Sequence, residues 1–318
     1  MSSNLPVNEK IREHYPENKF SSDTEIKTDE YGLKTEFLFS LGYRSDDFDW
    51  NIAGNTILGN YVNVLSELTW RNIEIYQVKL RNRTCFHNGF LLQGSLGYGW
   101  IFAGDNQDSD YLGINRTIEY SRSNAHTGDD NVLDASLGVG YQFRLKLDNL
   151  RITPLIGYSY HQQNFTMTDG DQTIASQYTT PAGPIAGLDS TYKAAWSGPW
   201  IGLDMKYKFN ERHGVYLEIE YHWADYYAEA NWNLRTDLAH PKSFEHEADG
   251  NGFIISTGLN VFLNPQWTLS LNFDYQKWST GAGIDRVFLS NGRALETLLN
   301  EVNWKSNALM IGIIYHWQ

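Results

Sequence analysis

The chain has 318 residues, a formal net charge of −13 and a mean hydropathy of −0.47. The acidic excess excludes nucleic acid as a partner, because phosphate recognition needs a basic surface. No run reaches the roughly 20 apolar residues of a membrane-spanning helix, so any crossing would have to be made by strands. The 14% aromatic content, with 11 Trp and 20 Tyr, is high and suits interfacial belts.

The opening Met-Ser-Ser-Asn-Leu-Pro lacks the basic and apolar regions of an export signal, and the expectation is that a leader has been removed. Cys85 is the only cysteine, which excludes an intramolecular disulfide. Residues 1–30 are polar and unpatterned and read as a lead. Residues 31–318 read as one barrel domain.

Strand one is predicted over Tyr31 to Tyr43, with Leu33, Phe37, Phe39 and Leu41 in one phase and Lys34, Glu36, Ser40 and Gly42 in the other. A polar stretch follows over 44–64. Strand two, about Leu65 to Leu80, puts Leu68 and Trp70 in one phase and Ile73 and Ile75 in the other, which predicts a bulge. A short link near Asn82 leads to strand three, with Phe90, Leu92, Leu96, Tyr98, Trp100 and Phe102 in phase. After an Asp-rich stretch (103–130), strand four carries Leu133, Leu137, Val139, Tyr141, Phe143 and Leu145. A turn at Asp148-Asn149 precedes strand five, with Ile152, Ile156, Tyr158 and Tyr160.

The stretch 166–198 separates strand six (Ile201, Leu203, Met205, Tyr207, Phe209) from the preceding half. Asn210 to Gly214 turns the chain into strand seven, whose apolar row from Val215 to Trp223 is backed by Glu218, Glu220 and His222. Strand eight (Phe253, Ile255, Leu259, Val261) follows the stretch 225–251, and Asn264-Pro265 turns into strand nine (Trp267 to Tyr275). The stretch 279–305 leads to strand ten, Ala308 to Trp317. Short and long links alternate around an even strand number. The apolar rows are backed by Glu, Lys, His, Gln and Gly, so they must face outward into lipid. The expected fold is all-β, a ten-stranded antiparallel transmembrane barrel of the outer membrane, with strand ten closing on strand one because a bilayer tolerates no open edge.

Several segments resemble the omptins, ten-stranded outer-membrane proteases. They are Leu65-Ser66-Glu67-Leu68-Thr69-Trp70; Gly104 to Tyr111 with Asp108-Ser109-Asp110-Tyr111; Gly157-Tyr158 with Phe165-Thr166; and Tyr192-Lys193 followed by Pro199-Trp200-Ile201-Gly202-Leu203. The resemblance implies a site in which an Asp pair and an Asp-His pair face each other across the barrel mouth and activate a water. Asp108 and Asp110 match the Asp pair, and their spacing of two aims both side chains the same way in an extended segment. The family's Asp-x-His is not matched: counting from Tyr221 gives Asn231-Trp232-Asn233, or Ala230-Asn231-Trp232 with a one-residue slip. Substitute bases are Asp225 and Glu229 close in sequence, Asp237 and His240 further along the same long stretch, and His126 in the second long stretch. The family's lipopolysaccharide-binding positions fall on Tyr160 and Gln162, which implies a weak site.

His240, Glu245, His246, Glu247 and Asp249 form a cluster in the fourth long stretch, but their spacing matches no metal motif. The expectation is no metal and no cofactor. The reading is a monomeric surface barrel without a complete protease site. Its partners are membrane lipid and a basic peptide or other extracellular ligand at the loops. A divergent aspartate-dependent endopeptidase is the alternative, and a narrow pore is the third reading.

Overall fold

The computed structural model describes residues 33–144 and 149–317. The strands are β1 (Lys34–Asn55), β2 (Tyr61–Cys85), β3 (Phe90–Tyr111), β4 (Glu119–Thr127), β5 (Asp130–Tyr141), β6 (Phe143–Arg144) and β7 (Leu150–Ile174). They continue with β8 (Gly183–Ile185), β9 (Ser190–Lys208), β10 (His213–Asn231), β11 (Phe244–Phe262), β12 (Trp267–Thr280), β13 (Gly283–Phe288) and β14 (Ala294–Trp317). They form a ring of 10 antiparallel positions. β4 and β5 share one position between β3 and β7, and β12 and β13 share another between β11 and β14.

The ring closes where the alternation predicted it would. β14 lies antiparallel to β1 with Phe37 opposite Tyr315, Phe39 opposite Ile313 and Leu41 opposite Ile311. These side chains stand on the outside and are exposed, as are Leu96, Trp100, Ile156, Ile201, Leu259 and Leu271 around the wall. A row of exposed aliphatics finished by Tyr and Trp is unfavourable in water and favourable in a bilayer. Asparagines make the tight turns. Asn210 Oδ1 accepts from the backbone N–H of Arg212 and His213, and Asn264 Oδ1 accepts from Gln266 and Trp267.

The strands are longer than the alternation alone marks. β1 runs to Asn55, so the stretch 44–64 is mostly strand, and the other long stretches are likewise largely strand extensions. The reason is an inversion of environment. Beyond the lipid the outward face meets water, so β1 continues with Asp47 and Asp49 outside and Phe48 and Trp50 inside. The link placed near Asn82 is instead at 86–89, because β2 continues to Cys85. The bulge in β2 is present at Arg71 to Glu74, with Asn72 in the left-handed region at φ 52°, and it brings Leu68, Trp70, Ile73 and Ile75 all to the inside. The lead (1–30), Tyr31, Leu145 and Asp148 lie outside the described residues.

The interior has two layers. Within the lipid-facing part it is charged and paired. Arg44 is 2.6 Å from Asp46 and 2.7 Å from Asp134, Lys79 is 2.9 Å from Asp274, Arg81 is 2.7 Å from Glu218, and Arg83 pairs with Asp204. Glu218, Glu220 and His222 face this lumen as their phase predicted, around a cavity of about 60 Å³. Above it the extended strands turn inward an aromatic layer that includes Phe48, Trp50, Trp70, Phe165, Tyr192, Trp196, Tyr226, Trp278 and Trp304, all buried. Trp70 stacks on Phe165 at 5.0 Å and Trp278 on Trp304 at 5.5 Å. This layer fills the barrel between the charged lumen and the loop-side rim.

Candidate functional site

Asp108 and Asp110 lie near the loop end of β3. Their cross-strand neighbours are Leu68 and Ser123 for Asp108, and Ser66 and Ser121 for Asp110. Leu68 is part of the buried core, so the Asp pair shares the inner face with it. Asp108 Oδ1 is buried without a hydrogen-bond partner. Burial pushes the Asp108 carboxyl well above the usual carboxylate range; the neighbouring Asp110 adds to the rise and Arg235 opposes it. Burial also raises Asp110, offset by hydrogen bonds from the Ser66 and Ser121 hydroxyls and by the charge of Arg235. The same pair, after burial itself, helps push Tyr120 up to about 12.

Arg235 comes from the link between β10 and β11, as do Asp237 and His240. Arg235 grips Asp237 in a bidentate pair, Nε to Oδ1 at 2.8 Å and Nη2 to Oδ2 at 2.7 Å. The imidazole of His240 is engaged at both nitrogens, with Asn231 Oδ1 2.7 Å from Nδ1 and the Arg235 carbonyl oxygen 3.2 Å from Nε2. At the positions where the resemblance would place Asp-x-His, the asparagines brace loops. Asn231 holds His240, and Asn233 Oδ1 accepts from the Asp189 backbone and the Ser190 hydroxyl, both at 3.0 Å. Trp232 between them packs edge-on against Phe244 at 4.7 Å.

The other substitute bases are elsewhere. Asp225 lies on the exposed outer face of β10, and Glu229 shares its phase. His126 is exposed on the outer wall, 3.9 Å from Asp105, beside an outer groove of about 410 Å³ that Arg71, Asp105 and Asp171 also line. His161 and His222 belong to the lumen below, and His246 is enclosed in the aromatic layer. No imidazole among the described residues is hydrogen-bonded to Asp108 or Asp110. The fourth-stretch cluster is not one cluster: His246 points inward while Glu245, on the opposite phase of β11, pairs with Arg286 and Lys242. Among the described residues no group of three or more His, Cys, Asp or Glu is disposed to hold a metal ion. Tyr160 donates to Gln162 at 2.6 Å and Gln162 to Asn164 at 3.1 Å, so the outer positions considered for lipopolysaccharide carry a neutral polar row.

Two features escaped sequence reasoning. One is Arg235, an unremarkable loop residue until the fold sets its charge against the Asp pair. The other is a buried chain from Tyr226 through Tyr192 and His246 to Asp285, drawn from four strands. The period-two placement of Phe244, His246 and Ala248 was the available signal for His246 facing inward.

A closed ring of antiparallel strands, lipid-compatible outside and charged within, defines a β-barrel of the bacterial outer membrane. The chain belongs to the family of Protochlamydia outer membrane proteins (Pom), whose profile matches residues 38–317. It is similar in fold to the outer membrane protease OmpT from Escherichia coli, with a TM-score of 0.71 and 13% identity over 89% of this chain and 97% of that one. The translocator domain of the autotransporter NalP from Neisseria meningitidis aligns over 91% of this chain and 90% of its own, at 9% identity and a TM-score of 0.37. No curated protein matches the chain.

Proposed function

We propose that this outer-membrane barrel is a non-proteolytic surface protein whose rim captures cationic groups of an extracellular ligand, such as the lysine or arginine side chains of a basic peptide. The observation that carries the reading is the Asp108–Asp110 pair. It retains two inward carboxylates, one with an unpartnered buried oxygen, and the charges acting on it come from Arg235 and Glu119 rather than from an imidazole. An arginine cannot take a proton from water at neutral pH, so the pair lacks the imidazole base on which the omptin-type site relies. What two undercompensated carboxylates do well is bind a guanidinium or ammonium. The test is fluorescence anisotropy of a labelled Lys/Arg-rich peptide on the folded barrel, against the same peptide with acetylated lysines and citrulline for arginine. Losing one charged contact costs about 1.5–3 kcal/mol, so Asp108→Asn should weaken binding roughly 10- to 150-fold. Equal binding of both peptides would refute the reading.

The charged cavity beneath the aromatic layer favours a second reading, a narrow ion path closed by that layer. Planar-bilayer recordings separate the two, since a path that opens gives discrete steps sensitive to truncation of Trp70 or Trp196.

A further inference from the structure

The buried chain above the lumen links four side chains in a row. Tyr226 Oη is 2.6 Å from Tyr192 Oη, Tyr192 Oη is 2.9 Å from His246 Nδ1, and His246 Nε2 is 3.2 Å from Asp285 Oδ1, an ion-pair separation rather than an aligned hydrogen bond. Thr297 closes the far end by donating to Asp285 Oδ2 at 2.6 Å. In the tautomer that carries the ring proton on Nε2, facing the carboxylate, Tyr226 donates to Tyr192 and Tyr192 donates to Nδ1. His246 is wholly buried, so this imidazole serves no substrate.

The same residues stand at the end of a continuous aromatic array. Trp278 and Trp304 stack at 5.5 Å, Trp278 lies 5.8 Å from Trp196, and Trp196 lies 4.5 Å from Tyr226. Trp70 and Trp50 lie 5.2 and 6.1 Å from Tyr192. The array is uneven in one chemical respect. The indole N–H groups of Trp50, Trp70 and Trp196 have no hydrogen-bond partner, and that of Trp304 meets an Asp46 carboxylate already bidentate with Arg44. An oxidised indole there has no free base to take its proton. Tyr192 has one in His246 Nδ1 when the ring proton sits on Nε2, on the side of Asp285.

We propose that the aromatic layer carries one-electron oxidising equivalents to Tyr192, making the barrel a radical sink at the cell surface. The oxidant is a one-electron acceptor such as the carbonate radical anion. It takes one electron through the tryptophans and becomes carbonate. Tyr192 loses that electron, and its hydroxyl proton passes to His246 Nδ1. The products are a neutral tyrosyl radical, hydrogen-bonded by Tyr226, and an imidazolium facing the Asp285 carboxylate. A one-electron reductant of the thiol or ascorbate class restores tyrosine as the proton returns.

The test uses the full folded barrel in detergent micelles, flash-oxidised with ruthenium tris-bipyridine and persulfate, and read by electron paramagnetic resonance. The expected result is a long-lived tyrosyl signal that is lost in Tyr192→Phe and in His246→Gln, while Tyr226→Phe keeps the radical with a shifted spectrum. Decay in the unsubstituted protein should slow in D2O. His246→Gln keeps a hydrogen-bonding group but no base, so it separates proton acceptance from packing if Tyr192→Phe fails to fold. Signals of unchanged amplitude and lifetime in His246→Gln, or a spectrum confined to surface tyrosines, would overturn the proposal.

Discussion

Truncating Trp70 to alanine tests the two-layer interior. Trp70 is wholly buried, with Phe165 at 5.0 Å, Tyr192 at 5.2 Å and Phe48 at 5.6 Å from its ring. A Trp that buries about 150–250 Å² of side-chain surface contributes roughly 4–6 kcal/mol at about 25 cal/mol per Å². Large-to-small substitutions in packed cores give about 3–5 kcal/mol by an independent route. The two agree on a loss near 4 kcal/mol, measured as the shift in urea unfolding of the refolded barrel in detergent. Trp70→Phe should recover most of it, because the stack on Phe165 survives. The same truncation thins the layer that closes the lumen, so single-channel conductance of Trp70→Ala should exceed that of the unsubstituted protein. A loss under about 1 kcal/mol together with unchanged conductance would refute the packed aromatic layer.

Other expectations are simpler to check. Leu41, exposed on the lipid side, should cost about 2–4 kcal/mol of folding stability in bilayers when changed to Arg, whereas Ser45→Arg at the edge of the lipid-facing band should be close to neutral. Gly42 lies at the closing seam, and a Cβ there would collide with the Leu309 carbonyl oxygen. Gly42→Val should therefore lower refolding yield and cost about 1–3 kcal/mol or more. Asp108 titrates near 3.8 in an unfolded chain and higher in the barrel. Its charge penalty is thus absent below pH 3.8 and grows as pH rises through the raised folded value. Asp108→Asn should match the parent in stability at acid pH and exceed it at pH 8, read from urea midpoints.

The membrane part of the fold was legible because lipid enforces a single rule: every outward residue from Phe37 to Tyr43 on one strand, and from Leu309 to Trp317 on its partner, must be apolar. Above the lipid that rule inverts, so Phe48, Trp50, Trp196 and Tyr226 looked like residues of long loops when they are inward positions of continuing strands. The Asp pair was legible from spacing, since residues two apart share a face. What surrounds it was not, because the charge of Arg235 acts on it from a different link and nothing local in the sequence encodes that proximity. His246, Glu245 and Glu247 are neighbours in sequence, but alternation on β11 puts His246 on the opposite face from both. Asn231 and Asn233 explain the missing Asp-x-His in physical terms: both amides are used to brace the loops.

The most direct measurement is the fate of a peptide. The refolded barrel, with and without lipopolysaccharide, would be incubated with labelled peptides bearing paired basic residues, and bound and free fractions read by mass spectrometry. The account predicts intact peptide in both fractions, retained by the unsubstituted protein and released by Asp108→Asn and Asp110→Asn. Cleavage that disappears in those variants would contradict it and establish the rim as a hydrolytic site.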